Sequence, residues 1–170
     1  MKKLGYPTTA WHNHTWDYYN RDVSHPNMGY EYSGLGHGLE VKPSWPESDL
    51  EMMEVVVPQL LAGEQPFHAY FMTVSGHMNY NFRDNAMSGK HYDDVADLDM
   101  STEAKAYIAC NMELDLALQY LLEELEKAGE LENTVICLSG DHYPYGMDPA
   151  TWTELAGQEL DPNFEIYHST

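Results

Sequence analysis

Asp141 and His142 stand side by side in "TVICLSGDHYPYG", where a short apolar run meets Gly140 and then a Tyr-Pro-Tyr-Gly turn. Ionised carboxylate and neutral imidazole are good ligands for zinc, manganese and similar divalent ions. The same two residues also suit a plain turn, because Asp bonds nearby backbone and a buried His finds a partner. Further imidazoles occur at His77, in "FHAYFMTVSGH", and at His12 and His14, in "AWHNHTWDYYNRD". That last stretch adds Arg21, whose rigid fork of donors matches a pair of phosphate or sulfate oxygens better than a lysine would. A local ion pair with Asp22 is the alternative use of its guanidinium.

These residues matter together only if secondary structure brings them to one place. A β-prone run at Thr8 to Trp11 predicts a strand that leads into a loop with His12, His14 and Arg21. Residues 24–47 hold four Gly and three Pro without a sustained period, which predicts an irregular surface excursion. Ser48 or Asp49 caps a predicted helix with apolar positions Leu50, Met53, Val57, Leu60 and Leu61, Gly63 at its end, and Pro58 against its second half. "FHAYFMTVSG" predicts a buried strand closed by Gly76, so that His77 falls just past its end. From Ser101 to Ala128, Tyr107, Leu114, Leu118, Leu121 and Leu125 repeat at helical spacing, with Gly129 as the left-handed stop. That leucine stripe is expected to be core. Asn133 turns into a predicted strand at Thr134 to Leu138, giving a βαβ unit with parallel strands. The tail "FEIYHST" reads as the start of another strand. In open α/β sheets ligands bind beyond the carboxyl ends of the strands. Three such ends here carry histidine, which points to a metal or phosphate site.

Composition narrows the partners. With 28 acidic against 8 basic side chains, the formal net charge of −20 repels nucleic acid and anionic lipid surfaces, while 43% apolar content argues for one folded domain over residues 1–170. Cys110 and Cys137 read as a helix residue and a buried strand residue, with no disulfide framework. No window reaches the roughly 18 apolar residues of a membrane span, and no export signal is visible after "MKKLGYPTT".

Taken in order, "AWHNHTWDYYNRD", "PFHAYFMTVSGHMNYN", "YIACNMELDLALQYLLEELEKAG" and "TVICLSGDHYPYG" resemble the extracellular catalytic domain of lipoteichoic acid synthase-like phosphoglycerol transferases. These belong to the sulfatase branch of the alkaline phosphatase superfamily. The resemblance covers nearly all of residues 5–168 and implies an α/β fold, a three-layer α/β/α sandwich around a mixed sheet. It implies that Asp141 and His142 are two ligands of a divalent metal, manganese or magnesium, with zinc or calcium as alternatives. By the same resemblance His77 faces the headgroup or leaving group, and His12, Tyr19 and Arg21 hold the glycerol phosphate, Tyr19 standing where relatives often carry Trp. The implied substrate is a phosphatidylglycerol-like headgroup, or another phosphate or sulfate ester, met on the outer face of a bacterial membrane.

In the family a metal-activated Thr attacks the phosphate, and the phosphoglycerol then passes to an acceptor or water. That Thr and the other metal carboxylates precede the portion matched here, so the chain is expected to be a central fragment without the N-terminal nucleophile segment or the C-terminal strands. Little turnover is expected of it alone, and a truncated sheet is expected to self-associate through its open edge. A sulfatase nucleophile needs a Cys/Ser-x-Pro-x-Arg sequence, yet Cys110 precedes Asn-Met-Glu-Leu and Cys137 precedes Leu-Ser-Gly-Asp. Rival readings are a non-catalytic binding module and a true sulfatase relative.

Overall fold

Thr8, Thr9 and Trp11 favour extended backbone, and they open β1, Thr8–Thr15, the strand from which the rest is arranged. The computed structural model describes residues 1–161 and 163. β1 runs four residues past the sequence expectation, so His12, Asn13 and His14 belong to a strand and not to a loop. It is flanked by β2, Glu31–Leu35, and β4, His68–Met72, with the short β3, Gly38–Leu39, outside β2. The order is β3-β2-β1-β4 with every pairing parallel, although the strand pair from which the sequence predicts parallel geometry is not among them.

The two faces of the sheet follow from strand alternation. Trp11 lies opposite Ser33 and Phe71, and this face packs under α2, Asp49–Ala62, and α5, Thr102–Ala128. Ala10 lies opposite Tyr32 and Tyr70, whose rings stack on His25 of α1, Arg21–Met28, at 5.2 and 6.0 Å. Helices therefore flank a parallel sheet, as the α/β expectation requires.

The supposed excursion at 24–47 holds most of α1 and both β2 and β3. Pattern alone misses β2 because Gly34 lies within it, Gly36 follows it and its register comes from β1. Gly34 pairs with His12, and a Cβ there would sit 2.8 Å from the Trp16 Cα, so only glycine lets the chain pass. Gly29, at φ 97°, ends α1 in the left-handed region.

α2 starts where Ser48 Oγ accepts the Glu51 N–H at 3.0 Å. It continues through Pro58 because Pro58 and Glu54, whose carbonyl the ring leaves unpaired, both face solvent. α5 has its Ser101 cap and its Gly129 stop at φ 74° as read from sequence. Of the predicted stripe Leu125 is buried as expected, but the rest of the buried ridge is Ala104, Ala106, Ala109, Cys110, Glu113 and Ala117, while Tyr107, Leu114, Leu118 and Leu121 are half-buried. Small side chains let α5 approach α2 and α3, Ala86–Lys90, closely, which turns the leucines to the flank. The remaining helices are α4, Tyr92–Val95, and α6, Pro149–Ala156.

The predicted strand at Thr134 to Leu138 is not formed. A parallel strand needs both faces covered, whereas Val135 is 87% and Leu138 70% exposed here, and Ile136 is half-buried. The βαβ unit closes instead through α1, between β1 and β2. Cys137 is accordingly exposed, while Cys110 is buried and burial pushes its thiol up to about 12. The tail strand predicted at "FEIYHST" lies outside the described residues.

One buried carboxylate joins these elements. Asp49, the first residue of α2, accepts hydrogen bonds from Asn13 Nδ2 at 2.8 Å, Val74 N at 2.9 Å, Ser75 N at 3.3 Å and the Ser75 hydroxyl. Asp49→Ala strands these donors in a dry interior, so a loss of about 3 kcal/mol or more of unfolding free energy is expected, against about 1 for Ser75→Ala. Urea melts of the two variants against wild type check this.

Candidate functional site

The end of β1 presents His12 and His14 on one face and Asn13 on the other, and its register with β2 slips between His12 and Thr15. His12 is buried, with Nδ1 2.9 Å from the Met72 carbonyl and Nε2 2.9 Å from Arg21 Nη1. A carbonyl only accepts, so Nδ1 carries the proton and Nε2 accepts from the guanidinium. Burial, helped by the Arg21 charge and opposed by the Met72 bond, lowers the His12 pKa to about 4. His12 is therefore a neutral peg on which Arg21 hangs.

Arg21 opens α1 directly after Tyr19 and Asn20, two residues in the left-handed region at φ 54° and 53°. Such backbone costs roughly 1–2 kcal/mol per residue and clusters at ligand sites. Here it turns the chain so that the Arg21 Cζ lies 5.6 Å from the Tyr18 ring centre and 5.7 Å from that of Tyr19. The alternative ion pair with Asp22 is not made. Among the described residues Arg21 has no carboxylate partner, and its one side-chain hydrogen bond goes to His12. Its other donors have no hydrogen-bond partner among the described residues.

His14 is fixed by a different group. Its Nδ1 lies 3.0 Å from both carboxylate oxygens of the buried Glu47. Its ring sits 4.9 Å from Tyr18 and 5.1 Å from Trp45. Trp45 is in turn 5.1 Å from His77, and its Nε1 donates to the Met78 carbonyl at 3.0 Å. Beyond His77 comes His142, with ring centres 6.1 Å apart, and then Tyr145 at 4.8 Å. One continuous row thus runs from Arg21 through His12, His14, Trp45 and His77 to His142. The predicted residues do converge, but in two groups, with His14 and Trp45 between them. Sequence reading assigned neither Trp45 nor Glu47; a Trp between prolines in "PSWPE" was a faint signal for the first, and nothing local marks the second.

Asp141 and His142 stand on an exposed loop and not at a strand end. Asp141 Oδ1 is 3.6 Å from His142 Nε2, while His142 Nδ1 is 2.9 Å from the Tyr143 carbonyl. The pair fits a divalent cation in donor type and falls short in number. Among the described residues no three His, Cys, Asp or Glu side chains gather as a metal would require. A shallow recess beside the pair is lined by His77, Met78, Tyr80, His142 and Tyr145. A larger hollow of about 280 Å³ lies along α5, between Leu118, Leu122 and Leu131, and none of the site residues lines it.

A parallel sheet flanked by helices, with an arginine and imidazoles gathered around the carboxyl ends of its strands, defines an α/β domain whose candidate site lies where ligands bind in such folds. The sequence profile of the sulfatase family matches residues 1–164, and the chain belongs to that family. It is similar to three proteins of Bacillus subtilis (strain 168). Lipoteichoic acid synthase-like YvgJ is 26% identical over 147 residues, covering 84% of this chain and 23% of the relative. Lipoteichoic acid synthase 1 is 28% identical over 156 residues, covering 83% and 22%. Lipoteichoic acid synthase 2 is 23% identical over 158 residues, covering 84% and 22%. The chain thus spans less than a quarter of each relative's length.

The neutral state of His12 has a thermodynamic signature. As pH falls below 6.5 the unfolded chain takes up a proton that folded His12 refuses until about 4, so stability declines across that window. The expected loss is up to about 3 kcal/mol, and His12→Gln should remove it. Denaturant melts of both proteins at closely spaced pH values measure the difference in slope.

Proposed function

We propose that this chain is the headgroup-binding part of a phosphoglycerol transferase or phosphodiesterase that acts on phosphatidylglycerol-like lipids at the outer face of a bacterial membrane. The observation that carries the reading is the Arg21 guanidinium, pegged by His12 and flanked by Tyr18 and Tyr19, with no carboxylate partner among the described residues. Family membership and the likeness to lipoteichoic acid synthases support it. No helix among the described residues is long and apolar enough to cross a membrane.

In this reading Arg21 grips two phosphate oxygens, and Tyr19 covers the glycerol. His77 meets the leaving oxygen from the far side of Trp45, as stabiliser or proton donor. Asp141 and His142 give two ligands to a manganese or magnesium ion, with the others coming from outside the described residues. When bound, the ion neutralises charge on the phosphoryl group. In this reading the isolated chain binds ester without turning it over. Among the described residues no strand pairs with the outer edge of β4, which in this reading offers a surface for self-association.

Calorimetric titration with sn-glycerol 1-phosphate tests the clamp. Arg21→Ala is expected to weaken binding at least about tenfold, since a charge-assisted bidentate contact is lost. Unchanged affinity sinks the assignment. In a parallel titration with manganese, equal affinity of wild type and the Asp141→Ala/His142→Ala variant removes the metal half-site. Enzyme-like hydrolysis of a chromogenic phosphodiester by the chain alone overturns its inactivity. Light scattering checks the β4 edge, where monomers at high concentration count against association.

A further inference from the structure

His14 is not among the residues given a role above, yet it is oriented as tightly as any of them. Glu47 is buried, and both of its oxygens lie 3.0 Å from His14 Nδ1. An ionised carboxylate only accepts, so in the neutral ring the proton is held on Nδ1 and the lone pair is on Nε2. Nε2 has no hydrogen-bond partner among the described residues, and the side chain keeps 17% of its surface open. Tyr18 and Trp45 approach the ring at 4.9 and 5.1 Å, and His12, which pegs Arg21, is 6.0 Å away. A buried carboxylate behind an imidazole whose other nitrogen is open, between aromatic walls, next to an anion clamp, is more than a structural pair needs.

We infer that His14 is a specificity-determining residue, and that its Nε2 accepts a hydrogen bond from a hydroxyl of the alcohol esterified to the phosphate on Arg21. The chemistry of the two groups decides this. An ionised phosphate oxygen has no proton to give and is repelled by a lone pair, whereas a hydroxyl donates one. The Tyr18 and Trp45 rings offer apolar surface to the carbons that bear it. Arg21 therefore selects the phosphate and His14 selects a hydroxylated alcohol over a bare one, with Glu47 as the positioning residue that fixes the tautomer. The inference rests on the phosphate reading of the Arg21 site and adds to it the residue that reads the alcohol.

Calorimetry on the whole chain with sn-glycerol 1-phosphate and with propyl phosphate, which lacks the hydroxyls, tests it. Wild type is expected to prefer the glycerol ester by about tenfold, the worth of one good hydrogen bond. His14→Ala should erase that preference and leave propyl phosphate affinity within about twofold, and His14→Asn provides a second variant if the alanine fails to fold. A preference that persists in the variants, or an equal loss for both ligands, overturns the role of His14 alone. If wild type binds neither ester, the phosphate reading falls and takes this inference with it. Long-range 1H–15N spectra of wild type near pH 8, above the ordinary imidazole range, should show His14 protonated on Nδ1, with mixed tautomers in Glu47→Gln. A wild-type proton on Nε2 overturns the inference without any variant.

Discussion

A single carboxylate with no access to water holds the geometry on which the site depends. Asp49 ties the end of β1 through Asn13, the exit of β4 through Val74 and Ser75, and the first turn of α2 through its own backbone. Burial pushes its carboxyl up, and these donors oppose that. Because the partners come from three elements, none can shift without exposing an unpaired group. His12 and His14 lie on either side of Asn13, and His77 follows Ser75 by two residues. The row of imidazoles is thus fixed to within the tolerance of a few hydrogen bonds.

A second buried carboxylate extends the frame to the helix packed beside α2. Glu113 of α5 is enclosed by the Ser48 hydroxyl, Lys90 Nζ at 2.9 Å and His91 Nε2 at 2.6 Å. Burial alone would raise its pKa, but the hydrogen bonds from Ser48, Lys90 and His91 outweigh burial and hold it below the usual range. Ser48 is also the α2 cap and is flanked by Glu47 and Asp49. Three successive residues therefore reach His14, Glu113 and the strand ends, so the start of α2 links the site to the core.

The long elements were legible because their signals are local. Caps and stops at Ser48, Ser101 and Gly129 need no knowledge of neighbours, and the parallel sheet followed from strand and helix alternation. β2 was not legible, since its pairing comes from β1 and its residues are undistinguished apart from Gly34. Thr134 to Leu138 erred the other way: its residues favour a strand, but a strand also needs neighbours, and none of the described elements supplies them. At the site, residue types identified Arg21 and the histidines. Their pairing was hidden, because His14 and Glu47 are 33 positions apart and His12 meets Met72 across 60.

The neutrality of His12 also bears on how a ligand arrives. Arg21 leans on an acceptor without charge, and among the described residues no carboxylate pairs with it, in a protein of formal net charge −20. An anion is pushed away at long range and drawn in over the last few ångströms. Dissolved salt then acts on the two stages in opposite senses: screening the distant acidic surface speeds encounter, and screening the clamp loosens what has been caught. If Arg21 holds phosphate as proposed, the fold would act as a threshold that favours anions delivered close to it over those that drift in from dilute solution.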